Sequence, residues 1–349
     1  MTYFPRVLFW IPLARLLFAR LLFAPLLFAP LLFACGTLAE AEDLAGWPVG
    51  VIDQWPVDVI DQWPVGVIDR WPVGVIARFD DHGTGLPLEK AMQTGVTVVQ
   101  LKVPVAANRT EENAQNILET LNRHGVTLTC VVSGFAGESY KTIPSVRETV
   151  GLVPVLTRRE RFEDFKSVSD FAKRLGAPSV QFHLGFVPED TDSQEYKDVV
   201  QITRAACDYV FENGQWLNLE TGQETGAALL RFIKDVNRLN LYVNFDPANM
   251  ILYGCGEPNE ALRLVGRYVR STHCKDARWS DNHGVKWGEE VLFGSGDVNA
   301  ELFLETLRSV GYVGPLIIER ENKESPEKQY EDVLKTIEFL KQLREKVLE

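Results

Sequence analysis

The stretch "LYVNFDPANMILYG", residues 241–254, decides how the chain is read. An apolar run from Leu241 to Phe245 stops at an acid, Asp246, and Pro247 follows at once. Proline has no N–H to give, so a central strand cannot run through it. The stretch therefore reads as a strand ending at Asp246, with a carboxylate at its C-terminal tip and a turn stiffened by Pro247 behind it. Asp-Pro is also a common turn opener. Taken alone, the stretch does not separate a turn from a site.

Working outward, seven more runs have the same β-branched, apolar character: 73–79, 96–103, 126–135, 178–186, 215–222, 269–276 and 314–321. Segments of helical spacing lie between them. "GAALLRFIKDV" (226–236) and "AELFLETLRSV" (300–310) each carry one apolar stripe. So does the last segment, through Tyr330, Val333, Leu334, Ile337, Leu340 and Val347. Gly125, Gly176 and Gly311 stand where helix stops do. Strands alternating with helices imply βαβ units and a parallel sheet. No strand is followed by G-x-G-x-x-G, so a dinucleotide-binding open sheet loses its main support. Eight units over 73–349 match the size of a closed (β/α)₈ TIM barrel, roughly 250 residues. The expected fold is α/β, a TIM barrel preceded by a repeat-rich segment over 1–72.

Reacting groups in such barrels sit at the C-terminal ends of the strands. Strand 4 ends near His183, strand 5 at Glu220 in "NLETG" and strand 6 at Asp246. Strand 7 ends at His273 in "THCKD" and strand 8 at Glu319 in "IIERE". Each alone reads as a helix-start acid or a satisfied histidine. Four consecutive strands delivering Glu, Asp, His and Glu to one rim read instead as a site for one divalent metal ion: Mn²⁺, Mg²⁺, Co²⁺ or Zn²⁺. Glu321 shares a strand face with Glu319 and competes for the last place, because side chains alternate along a strand. Lys275 points the same way as His273 and is a candidate donor to substrate, and His183 is a candidate partner for a substrate hydroxyl. "FGSGD" (293–297) reads as a plain loop or as backbone N–H groups turned to an anion.

"LNLETGQET", "VNFDPANMILYG", "THCKDARW", "GEEVLFGSGDV" and "GYVGPLIIERE" resemble the motif series of the xylose-isomerase-like barrels. That family includes sugar phosphate isomerases and epimerases, ketose 3-epimerases, inosose-processing enzymes and endonuclease IV-type repair enzymes. The resemblance implies a metal held by Glu220, Asp246, His273 and Glu319, with Glu220 and Glu319 also the acid–base pair. It implies proton transfer beside a carbonyl through an enediolate, on a small sugar or sugar phosphate. The chain departs from the ketose-epimerase pattern at two substrate-contact positions. Asn249 stands where a histidine is usual, and Trp279 where an arginine is common. Asn249 is kept as a substrate-contact candidate, and the particular sugar stays open. A polyol dehydratase begins with the same proton removal and is the nearest rival, followed by a non-catalytic sugar- or protein-binding barrel.

Composition narrows the field. A net charge of −12 argues against a nucleic-acid partner. With five histidines in all, a three-zinc repair site has few ligands to draw on. Five scattered cysteines without C-x-x-C spacing suggest neither a zinc ribbon nor a disulfide framework. Before the barrel lie a five-residue repeat (16–35) and four copies of an eight-residue unit beginning Trp-Pro-Val (47–78). Prolines and arginines interrupt the apolar repeat, so no stable membrane span is expected. An export signal over 1–41 and an expanded leader are equal alternatives, which leaves a cytoplasmic or exported protein. A homo-oligomer stays open. The last eight-residue copy runs into regular sequence and reads as the first barrel strand, the earlier ones as its duplicates.

Overall fold

The computed structural model describes residues 71–321 and 325–349. The leader and repeats over 1–70, with the signal reading of 1–41, lie outside the described residues.

Eight strands form the expected barrel: β1 (Val73–Arg78), β2 (Val98–Lys102), β3 (Thr127–Val132), β4 (Ser179–Phe182), β5 (Trp216–Glu220), β6 (Leu241–Phe245), β7 (Val269–Cys274) and β8 (Leu316–Ile318). All neighbours pair in parallel, and β8 closes on β1 through Val73↔Leu316, Gly74↔Ile317 and Val75↔Ile318. Closure removes both sheet edges. Gly74 sits at a close approach, where a Cβ would stand 2.5 Å from the Val98 carbonyl oxygen and 2.7 Å from Ile317 Cδ1.

Helices cover the outside, and their caps follow from sequence. The helix Gly226–Val236 starts where Thr225 accepts from the Ala228 N–H, and Glu111–His124 stops at Gly125 with φ +64°. Aromatic side chains such as Phe165, Phe171, Phe232 and Phe303 fill the space between helices and barrel. In the last helix, Pro326–Leu348, Val333, Ile337, Leu340 and Val347 are buried as the stripe requires. Leu334, also counted in that stripe, is 39% exposed and lies at its edge.

Inside the barrel, Ile76, Val98 and Ile317 form a small apolar cluster. A polar layer also lies within: Gln100 is level with Cys130, Gln181 with Asn218, and Asn244 with Ser271. All six are buried.

Candidate metal centre

The Asp246-Pro247 turn resolves into a helix. Pro247–Tyr253 is helical, with Pro247 in its first turn, where the missing N–H costs nothing. Asp246 is its N-cap, and Oδ1 accepts from the Asn249 N–H at 2.9 Å. The other carboxylate oxygen, Oδ2, is left for the barrel axis. Thr221 exchanges hydrogen bonds with the Asp246 backbone at 2.7 and 2.8 Å, locking the ends of β5 and β6 together. Gly222 next to it allows the new helix to close in, since a Cβ there would meet Asn249 and Tyr253 at 2.9–3.0 Å.

Glu220, Asp246, His273 and Glu319 meet, each offering one ligand atom, all within 4.8 Å of one another. His273 Nδ1 stands 3.0 Å from Glu220 Oε1, 3.3 Å from Glu319 Oε2 and 3.5 Å from Asp246 Oδ2. Nδ1 and Asp246 Oδ2 are both fully buried, and neither has a partner in hydrogen-bonding geometry. Buried polar atoms are seldom left so. Donors bound at about 2.0–2.2 Å around one ion stand roughly 3–3.5 Å apart, so the spacing fits a cation shared by the four. The charges agree. Burial alone would lower the pKa of His273, but the Glu220 and Glu319 carboxylates outweigh it and hold the imidazole well above its usual value. Burial likewise opposes the charge of Lys275, and Glu319 and Glu321 raise it well above the ordinary lysine value. For Glu319, burial is outweighed by Lys275 and His273, which hold the carboxyl well below the usual range. Asp246 goes the other way, with burial raising it. The cluster calls for positive charge.

The other sequence candidates lie around this point. Lys275 Nζ reaches Glu319 Oε2 at 3.0 Å and Asn249 Oδ1 at 3.4 Å, and the Asn249 amide donates to Glu220 Oε1 at 3.2 Å. His183 Nε2 is 3.5 Å from Glu220 Oε2. Glu321 stays out of the cluster. It is 3.8 Å from Lys275 Nζ with a side chain 38% exposed, so it faces the cavity. Trp279 stacks on His283 at 4.6 Å and is not among the cavity's lining residues.

A cavity of about 650 Å³ opens beside the cluster. Tyr140, His183, Asn249, Tyr253, Lys275 and Trp287 line it, with Tyr253 and Trp287 packed at 4.6 Å. An apolar wall with a few convergent polar groups is how small-molecule sites are built. The glycine loop at 293–297 is accounted for separately. The N–H groups of Gly294, Gly296 and Val298 all donate to the carboxylate of Asp276, at 2.9–3.1 Å. The anion it holds is the chain's own.

Sequence reasoning missed two glutamines. Gln100 Oε1 lies 2.9 Å from His273 Nε2, and the Gln181 amide donates to Glu220 Oε2 at 3.3 Å. Their sequence signal is weak: one polar residue inside each of "VVQLK" and "SVQF".

The sequence model of the xylose isomerase-like TIM barrels matches residues 88–343. A xylose isomerase domain protein from Planctomyces limnophilus is 47% identical in sequence, with a TM-score of 0.78, and the match covers 80% of this chain and 99% of that one. A D-tagatose 3-epimerase-like protein shares the fold at 21% identity, with a TM-score of 0.61 over 79% of this chain and 98% of its own. So does a probable 3-DHS dehydratase from Bacillus anthracis, at 14% identity and a TM-score of 0.55, over 76% of this chain and 98% of its own. An uncharacterized protein of Methanocaldococcus jannaschii is 28% identical over 207 residues, which are 55% of this chain. The matched part is 66% of that relative's length, just short of two thirds.

Proposed function

Because the chain belongs to the xylose isomerase-like TIM barrel family, we propose that it is a divalent-metal-dependent sugar or sugar-phosphate isomerase or epimerase. The observation that carries the reading is the meeting of Glu220 and Glu319 at one point beside a cavity of about 650 Å³. Glu220, Asp246, His273 and Glu319 would hold the ion. Bound there, a divalent cation supplies the charge that polarises a carbonyl and its neighbouring hydroxyl, acidifying the C–H between them.

The chain's own groups do the rest. One of the two glutamates removes that proton and the other returns it. Return to the opposite face gives epimerisation, and return to the next carbon gives isomerisation. Lys275, held 3.0 Å from Glu319 Oε2, is placed to steady negative charge as it develops on the substrate oxygens. His183 and Asn249 line the cavity within reach of Glu220, where substrate hydroxyls would lie. The aromatic pair Tyr253 and Trp287 excludes water from one side.

The test has two parts. Elemental analysis of chelator-free protein should find about one Mn, Co, Zn or Mg per chain. Incubation with a panel of ketoses and ketose phosphates in D₂O should then show deuterium entering beside the carbonyl. Folded protein that binds no added ion would end the metal reading. One rival, a polyol dehydratase, begins with the same proton removal. It would give an unsaturated, ultraviolet-absorbing product, where an isomerase or epimerase gives exchange and an isomeric sugar.

A further inference from the structure

Barrels of this kind usually pack branched apolar side chains in their interior layers. Here the polar layer lies directly against His273. We propose that Gln100, on β2, is a positioning residue that fixes which nitrogen of His273 faces the three carboxylates. The inference rests on the metal reading above and adds to it a residue from the opposite side of the sequence.

The argument runs through the roles each neighbour can play. His273 Nε2 has two contacts, Gln100 Oε1 at 2.9 Å and Gln181 Nε2 at 3.4 Å. Gln181 is oriented by its other partners. Its Oε1 takes the Cys130 thiol at 3.5 Å, and its Nε2 gives to Glu220 Oε2, which as a carboxylate oxygen only accepts. It therefore presents N–H toward His273 and cannot hold the ring's proton. Gln100 can. Its amide nitrogen is taken by Ser271 Oγ at 2.7 Å and Asn244 Oδ1 at 3.4 Å, which turns Oε1 to the ring. A histidine that ligates a cation does so as the neutral imidazole, which has one N–H. Kept on Nε2 by Gln100, it leaves the Nδ1 lone pair facing Glu220, Asp246 and Glu319. Metal-binding histidines are commonly oriented this way, often by a carboxylate. A neutral amide does the same without adding a fourth negative charge to a buried cluster that already has three.

The experiment titrates Mn²⁺ into the full chain and follows loss of the free-ion EPR signal, with circular dichroism as the check on folding. Gln100→Leu removes the acceptor at similar volume and should weaken Mn²⁺ binding by roughly 10–100-fold. Gln100→Glu keeps an acceptor and should bind within a few-fold of wild type. A folded leucine variant that binds Mn²⁺ like wild type overturns the proposal. So does a glutamate variant that falls as far as the leucine one, since that pattern marks packing and not orientation. Should Gln100→Leu not fold, Gln100→Met replaces it with the same reading. Wild-type protein that takes up no Mn²⁺ or Co²⁺ fails the metal reading itself, an outcome distinct from unaffected variants of a protein that binds.

Discussion

Two arcs of the same rim use their polar tips in opposite ways. On the β1–β3 arc, Arg78 bonds the Gly85 and Asp80 carbonyls at 3.2 and 2.9 Å, and Lys102 bonds the Ser133 carbonyl at 3.3 Å. These cations hold nearby backbone. On the β5–β8 arc, Glu220, Asp246, His273 and Glu319 find one another across strands, and two of their atoms remain without a hydrogen-bond partner. Strand geometry and closure are common to both arcs. What differs is the partner: the cations of the first arc are satisfied by backbone carbonyls, whereas the acids and the histidine of the second face one another and leave Asp246 Oδ2 and His273 Nδ1 without a hydrogen bond. Tips satisfied by backbone stiffen loops, and tips left with such atoms can be completed by a ligand.

The contrast can be broken most severely at the paired glutamates. Glu220→Gln and Glu319→Gln should each cut turnover by roughly 10²–10⁴-fold while the melting temperature holds, as steady-state rates and calorimetry would show. Retained turnover in both would remove the proton-transfer roles. Next comes Asp246, where two jobs can be separated. Asparagine caps a helix as well as aspartate does, so Asp246→Asn should lose ion affinity by at least the roughly 10–100-fold that a lost supporting partner costs, with stability unchanged. Asp246→Ala should cost about 1 kcal/mol more in stability.

A third prediction concerns Glu224, whose Oε1 accepts from the Val187 N–H at 3.4 Å. Burial pushes this carboxyl up to about 8, from 4.5. A raised carboxyl is neutral and costs nothing at pH 4. As the pH climbs from 4.5 through about 8, ionisation is disfavoured in the folded state and stability is lost. Glu224→Gln should therefore match wild type at pH 4 and exceed it at pH 9. A gain of about 1–2 kcal/mol is expected, since partial exposure lets water screen the charge. Melting curves at the two pH values give the answer, and equal gains at both would reject it. The smallest effect belongs to the first arc: Lys102→Met should change Mn²⁺ affinity by less than about threefold and stability by about 1 kcal/mol. A large loss of affinity there would erase the contrast between arcs.

Much of this was legible because strand alternation and strand ends are local signals. The eight runs and the four candidate ligands follow from where apolar segments stop. The Asp246 stretch was half legible, since Asp-Pro marks both a turn and a helix start, and only the Asn249 N–H bonded to Oδ1 decides for the helix. Glu319 and Glu321 share a face, and their difference is depth along the strand, which periodicity does not encode. Gln100 and Gln181 were hidden for another reason. A polar residue among apolar ones looks the same whether it faces water or the inside of a closed barrel. Closure is a property of the whole chain.

Ala77 on β1 is fully buried, pairing with Leu86 and Leu101. The three earlier copies of its eight-residue unit carry Asp53, Asp61 and Asp69 at the corresponding place. One of them also has Asp58 where Gly74 leaves no room for a side chain. Burying a carboxylate with no partner costs several kcal/mol. An aspartate at position 77, or a side chain at position 74, would meet that cost or that clash, so the sequence of the last copy is the one suited to the slot between β8 and β2.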